Sequence, residues 1–268
     1  MSRIKEPWEL AVMRQSGKRL AEVKELLREA VRVGGTTLEL DQIAEKAIRD
    51  MGAVPSFKGY VVSKSIQPFP YTICASVNEE VVHGFPSDRV LKDGDVVSID
   101  MGLVYGGYHA DCAFTIALGE AGEDVQRLLD VTEQSLYQGL AQARPGNRIG
   151  DIGHAVQSFI QPHGFGIVRE YVGHGIGRLL HEPPSVPNYG KPHKGLLIKP
   201  GWVIAVEPMV TLGSPRTKVL DDGWTVITRD RSLAAHFEHT VAVTPRGPEI
   251  LTALPGTVPA SVASLVAT

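Results

Sequence analysis

Four carboxylates stand at the edges of β-branched runs. Asp100 closes Val96-Val-Ser-Ile-Asp100, and Asp111 opens Asp111-Cys-Ala-Phe-Thr-Ile116. Glu207 closes Val203-Ile-Ala-Val-Glu207, and Glu238 opens Glu238-His-Thr-Val-Ala-Val243. Tyr105-Gly-Gly-Tyr108 lies between the two aspartates, so a hairpin turning between Tyr105 and Gly106 would set Asp100 opposite Asp111. Opposed side chains of that kind have Cβ atoms about 4.5–5.5 Å apart. Two like charges at 4 Å cost about 4 kcal/mol at an effective dielectric near 20. Several such pairs would rival a net stability of about 5–15 kcal/mol. Either the four groups stay apart, or some hold protons, or cations sit between them. The third reading is favoured, because four carboxylates and a histidine can hold two divalent ions about 3.5–4 Å apart. Taken singly the residues read more simply, an Asp at a strand end as a turn former and Glu238-His239 as a surface pair.

The histidine candidate comes from Tyr171-Val-Gly-His-Gly-Ile-Gly-Arg-Leu-Leu-His-Glu-Pro-Pro-Ser185. His174 and His181 are two helical turns apart. Gly173, Gly175 and Gly177 disfavour a helix, and Pro183-Pro184 would end one. Alternating glycines on irregular backbone suggest close approach to a ligand or to another chain segment. His174 is therefore expected to bind metal and His181 to face substrate.

The elements that must position these groups repeat along the chain. Leu91-Lys-Asp-Gly-Asp-Val-Val-Ser-Ile-Asp100 and Ile198-Lys-Pro-Gly-Trp-Val-Ile-Ala-Val-Glu207 share one pattern, a glycine turn and then a buried strand ending in a carboxylate. Ala110–Ala117 matches Phe237–Thr244 in the same way. Helical patterns over 7–31 and 121–143 each precede a glycine turn, Val33-Gly34 or Pro145-Gly146, and a second helix. Two such halves imply a pseudo-two-fold α+β fold around one composite core.

Bulk properties narrow the classes. The 268 residues are 43% hydrophobic and 21% charged with a formal net charge of -3, an ordinary globular composition. No basic block marks a nucleic-acid footprint, and no 18-residue apolar run spans a membrane. Two cysteines, Cys74 and Cys112, are too few for a disulfide framework and favour a reducing cytoplasm. The N-terminus lacks the apolar stretch of a secretory signal. Residues 251–268, mostly small, are expected to form a frayed tail after a single catalytic domain over 1–250.

At this point the motifs resemble a known family. YTICASVNEEVVHGFP (71–86), GDVVSIDMG (94–102), GYHADCAFT (107–115), GHGIGRLLHE (173–182), VIAVEPM (203–209) and DGWTVITRDRSLAAHFEHT (222–240) are similar to bacterial-type, type I methionine aminopeptidases over roughly residues 3 to 250. The resemblance implies the pita-bread fold, helix-helix-strand halves around a curved antiparallel sheet. It implies Asp100, Asp111, His174, Glu207 and Glu238 as ligands to two divalent ions, Asp111 and Glu238 bridging, and His83 and His181 as catalytic histidines. A hydroxide generated between the metals would attack the scissile carbonyl. Glu207 would shuttle the proton, His181 would bond the developing oxyanion, and His83 would contact the amide nitrogen. Phe57, Tyr60, Phe69, Cys74 and Trp224 would line the methionine pocket. The oxygen-rich ligand set suits Mn, Fe(II) or Co and leaves room for Zn. Nascent N-termini with a small second residue would be the substrates, the chain's own Met1-Ser2 start among them. The resemblance also implies a monomer, with transient ribosome association compatible with a nascent-chain substrate. The other six histidines, His109, His154, His163, His193, His236 and His239, are expected to be structural or exposed.

Two departures stand out. Gly59-Tyr60 and Phe69-Pro70 are separated by an insertion of about six residues within 61–68, expected to loop into solvent. Leu180 replaces an aromatic common in relatives, which would open the pocket. Two rivals are weaker. A proline-directed peptidase carries a large extra N-terminal domain, whereas the first helix pattern here begins near Pro7. A non-catalytic relative would break the ligand set, which is intact.

Overall fold

Gly106 and Gly107 both adopt positive φ, 57° and 79°, and the hairpin they close fixes the register of the central sheet. The protein is described from a computed structural model covering residues 3–63, 65–260 and 262–265. Met1-Ser2, Lys64 of the expected loop and Ser261 and 266–268 of the expected tail lie outside the described residues. Among the described residues the main sheet runs in spatial order β1 (Val54–Pro55), β4 (Val96–Tyr105), β5 (Tyr108–Ala117), β14 (Glu238–Thr244), β9 (Val203–Val206), β7 (Gly173–Gly175) and β8 (Glu182–Val186). β2 (Ile73–Val77) also pairs with β4, and β15 (Gly247–Ile250) with β14. One small sheet joins β13 (Ala234–His236), β10 (Met209–Thr211) and β6 (Gly166–Ile167). Another joins β11 (Thr217–Val219), β12 (Val226–Thr228) and β3 (Glu80–Val82).

The four helices form where the sequence places them. α1 (Pro7–Ala30) begins with Pro7 in its first turn, and Glu9 reaches back to the Glu6 backbone. α2 (Thr37–Asp50) is capped reciprocally by Thr36 and Glu39. α3 (Glu123–Ala141) and α4 (Ile149–Ile160) repeat the pair in the second half. Their apolar stripes meet one face of the sheet in a continuous core that includes Leu20, Leu27, Ile48, Leu136 and Ile152.

Strand alternation then decides what the other face carries. Ile99, Met101 and Leu103 of β4, Cys112 and Phe114 of β5, Val241 and Val243 of β14, and Ile204 and Val206 of β9 all join that core. Asp100, Asp111 and Glu238 therefore point to the face away from the helices, and Glu207, just past β9, follows the same alternation. The order β2-β4-β5 beside β14-β9-β7 is palindromic. Cys112 pairs with His239 across the β5–β14 ladder, and Asp111 and Glu238 each precede one member of that pair. The pseudo-two-fold thus passes through the Cys112–His239 pair.

The hairpin corrects one expectation. Tyr105 pairs with Tyr108, so the turn centres between Gly106 and Gly107 and Asp100 faces Ala113, while Asp111 faces Gly102. A two-residue turn with both central residues at positive φ suits the strand twist, and only this pair of glycines supplies it without strain. The aspartates remain on one face as diagonal neighbours. The tail expectation also changes at its start. Leu251 and Thr252 are buried, the Leu251 amide donates to the Thr240 carbonyl, and Val262 reaches the core.

The alternating glycines are explained by packing. A Cβ on Gly173 would collide with the Ala205 carbonyl oxygen, and one on Gly175 with the Pro183 carbonyl oxygen. β7 is squeezed between β8 and β9, and only hydrogen fits at these two positions. Gly173→Ala should lower stability by about 1–3 kcal/mol, the usual cost of overpacking. A drop in Tm by calorimetry is the expected outcome; an unchanged Tm would show that β9 can move aside.

Candidate active site

Each of four adjacent strands delivers one carboxylate or sits beside one. Asp100 on β4 is level with Ala113 on β5, which is level with Glu238 on β14. The β14–β9 ladder pairs His239 with Val206, so the next step brings Glu207 beside Glu238. β7 then adds His174, whose Nε2 lies 3.5 Å from Glu207 Oε1 and 3.9 Å from Asp111 Oδ2. Ligand atoms of Asp111, His174 and Glu238 all fall within 4.8 Å of one another.

The electrostatics of this cluster are adverse without a cation. Burial pushes the Asp100 carboxyl up to about 7. Burial, then the neighbouring carboxylates, push Asp111, Glu207 and Glu238 well above the ordinary carboxylate range. Asp100 Oδ1, Asp111 Oδ1 and Glu238 Oε1 are buried with no hydrogen-bond partner among the described residues. Buried carboxylate oxygens without donors are costly, and three converging on one volume match the coordination needs of divalent metal ions. His174 is set up to join them. Its Nδ1 lies 2.9 Å from the Gly175 carbonyl, which only accepts, so Nδ1 carries the hydrogen and Nε2 keeps a lone pair facing the acids. Burial holds its pKa down to about 3, leaving the ring neutral. The residues present fit divalent ions.

One cavity of ≈ 150 Å³ collects every candidate from the sequence: the five ligands, His83 and His181, and Phe57, Tyr60, Phe69, Cys74 and Trp224. Phe69 is packed edge-on against Phe57 and Trp224, with ring centroids 6.5 and 5.2 Å away. Burial pushes the Cys74 thiol well up, so it stays protonated as an apolar wall. His83 follows β3 with φ 60°, a left-handed conformation that costs a non-glycine residue energy. Its ring meets Trp224 and Tyr171 edge-on, and burial lowers its pKa to about 4.

Four features were not legible in the sequence. Tyr60 is more than a wall residue, because its Oη lies 2.6 Å from His181 Nδ1. Burial raises the Tyr60 pKa, so the phenol keeps its proton and donates to Nδ1, and a neutral His181 carries its hydrogen on Nε2. Second, the insertion is exposed along most of its described length, as expected, yet it also touches the pocket rim. Val62 lines the cavity, Ile66 packs against the pocket cluster, and Trp224 Nε1 donates to the Gln67 carbonyl at 2.9 Å. Phe57, Tyr60 and Phe69 keep their places because the Gly59 amide donates to the Phe69 carbonyl and the Phe69 amide to the Tyr60 carbonyl across the base of the loop. Third, Leu180 is buried in the wall and fills it. Fourth, His236 lies buried behind Glu207, with Nε2 4.0 Å from Oε2. His109 bonds Ser56, and His239 bonds Thr252 on the opposite face of the sheet.

The model of metallopeptidase family M24 matches residues 11–245. Methionine aminopeptidase 1 of Bacillus subtilis is 52% identical over 248 residues, covering 92% of this chain and 98% of that protein. The methionine aminopeptidase of Clostridium perfringens is 50% identical and covers 91% of this chain and 96% of its own length. The crystal structure of methionine aminopeptidase from Thermotoga maritima superposes with a TM-score of 0.91 at 42% identity, covering 95% of this chain and 100% of that one.

The raised carboxylates make stability depend on pH in a definite direction. A carboxyl whose pKa is higher folded than unfolded holds its proton longer in the native state, so stability falls as pH rises between the two values. For Asp100 that window runs from 3.8 up to about 7. His83 and His174, held down to about 4 and about 3, contribute the opposite trend below 6.5, so metal-stripped protein should lose Tm as pH rises above 6.5, and Mn added at pH 7 should restore it. A Tm independent of pH after chelation would show that the acids do not confront one another.

Proposed function

This chain belongs to metallopeptidase family M24, and we propose that it removes the initiator methionine from nascent proteins and peptides whose second residue is small. The observation that carries this reading is the placement of the acid-and-His174 cluster on the wall of a small apolar cavity, with His83 and His181 on the same wall. Asp100, Asp111, His174, Glu207 and Glu238 would hold two divalent ions. Such ions, when bound, supply Lewis acidity and make a water molecule easier to deprotonate. With mostly oxygen donors and one nitrogen, Mn, Fe(II) and Co suit the set, and Zn is compatible with it.

The chain's own groups divide the remaining work. Glu207 reaches the cluster from the strand end and takes the proton from water, then delivers it to the leaving amine. His181, held by Tyr60, donates its Nε2 hydrogen to the scissile carbonyl as negative charge develops there. His83 contacts the amide nitrogen. Phe57, Phe69, Cys74 and Trp224 enclose a volume suited to one flexible thioether side chain, which is soft and polarizable. Cytoplasmic nascent chains are the proposed source of substrate, met by a monomer with transient ribosome association. Among the described residues no helix is long and apolar enough to cross a membrane.

Mass spectrometry of mixed peptides tests the reading. Metal-dependent loss of methionine alone from Met-Ala- and Met-Ser- peptides is expected, with Met-Leu-, Leu-Ala- and Ala-Pro- left intact. Release from Ala-Pro- would replace the reading with a proline-directed one. His174→Ala and Glu238→Ala should lose metal and activity together. His181→Ala should keep metal and lose about 100-fold or more in kcat, the scale of a missing oxyanion donor. Tyr60→Phe should cost about 10-fold in kcat with metal affinity intact, since it disturbs only the partner of His181. A fully active Tyr60→Phe would separate that hydrogen bond from the chemistry.

A further inference from the structure

His181 sits in the irregular connection between β7 and β8, where no ladder fixes it. Tyr60 holds its ring, but the backbone beneath needs its own support. The His109 amide donates to the Gly177 carbonyl at 2.8 Å, and further support comes from the N-terminal segment. The Lys5 amide donates to the Gly201 carbonyl at 2.7 Å, which anchors the segment to the β9 approach. The Lys5 side chain then crosses Gly177: a Cβ there would lie 2.6 Å from Lys5 Cε and 2.8 Å from Nζ. Nζ ends 2.7 Å from Glu182 Oε2, with the two side chains only 2% and 11% exposed. The other carboxylate oxygen accepts the Leu179 amide at 3.2 Å. Glu182 thus closes the Gly177–Glu182 turn on itself while Lys5 fixes it to the body. Arg178 gives a second tie, 3.9 Å from Glu9, which also bonds Arg3 and Tyr108.

A buried ammonium–carboxylate pair is weak evidence for added stability, because desolvation offsets the attraction. Its value lies in geometry, and the residue adjoining Glu182 is His181. We propose that Lys5 is a positioning residue for the reaction: through Glu182 it fixes the turn that aims His181 at the scissile carbonyl. This inference rests on the reading of His181 as the oxyanion donor. Metal binding is outside its reach, since His174 is held within β7 by its own hydrogen bond and ladder.

The test is a double-mutant cycle on the Mn-loaded, full-length protein. Lys5→Met should lower kcat on a Met-Ala-Ser peptide about 10- to 100-fold, the effect of a misplaced group. KM and the Mn titration by calorimetry should change little, and Lys5→Arg should recover most of the loss. In a His181→Ala background, Lys5→Met should cost nothing further, because the two act as one unit. A Lys5→Met enzyme with normal kcat would overturn the proposal. So would an equal loss persisting without His181, or a parallel loss of Mn affinity. Glu182→Gln, nearly isosteric, carries the same cycle if Lys5→Met does not fold. Full turnover by His181→Ala alone would instead remove the underlying reading of His181, and the proposal with it.

Discussion

Mutual repulsion among four carboxylates, two buried and two largely buried, is the constraint around which this protein is built. Asp100, Asp111, Glu207 and Glu238 share one sheet face, Glu207 beside Glu238 and the two aspartates diagonal to each other. Unpartnered oxygens on Asp100, Asp111 and Glu238, and raised pKa values on all four, show that among the described residues the polypeptide does not fully neutralise them with its own donors. Lys24, a buried lysine near these strands, lies on the helix side against Thr252 and Glu25. The fold holds the acids together by burying a large apolar core on the other face, and leaves their charge to be balanced by cations. Metal and fold are therefore linked thermodynamically: whatever binds only the assembled cluster stabilises the native state.

The pseudo-two-fold explains how one sheet comes to gather such a set. Asp111 and Glu238 flank the Cys112–His239 pair on which the symmetry is centred, and Asp100 and Glu207 lie one strand further out on each side. Symmetry then breaks where the two halves take different work. The strand beyond β4 is β2, which contributes Cys74 to an apolar wall. Its counterpart beyond β9 is β7, which contributes His174. A symmetric scaffold thus presents a metal-binding side and an apolar side within one small cavity.

Much of this was legible in the sequence, for physical reasons. Helices and strands announced themselves through period and through the repeated glycine-turn frame, and the ligands through carboxylates ending β-branched runs. The hairpin register was misread by one position, because a choice between Tyr105-Gly106 and Gly106-Gly107 depends on φ at both turn residues. The insertion at 61–68 carries no periodicity, so its contacts through Val62, Ile66 and Gln67 depend on a partner, Trp224, far along the chain. Thr252 looked like the start of a frayed end. It is buried because it bonds the His239 ring and the Thr240 amide, pairings that composition cannot reveal.

The two kinds of functional residue are held by two kinds of structure, and the difference follows from what each must do. The proposed metal ligands would have to keep mutual distances to a fraction of an ångström, and Asp100, Asp111, His174 and Glu238 lie on paired strands with fixed register, with Glu207 directly after one. His83 and His181, in the proposed reaction, would meet a substrate atom that is in place only part of the time. They stand on irregular backbone, one at φ 60° and one in a turn. Irregular backbone has no ladder to fix it, so its geometry has to come from side chains. For His83 the surrounding rings of Tyr171 and Trp224 serve this purpose. For His181 it is Tyr60 on one side and the Lys5–Glu182 pair on the other, drawn from segments distant in sequence. The glycines of the Gly173–Gly177 stretch follow from the same demand. Two let β7 close against its neighbours, and the third makes room for the lysine that steadies the turn.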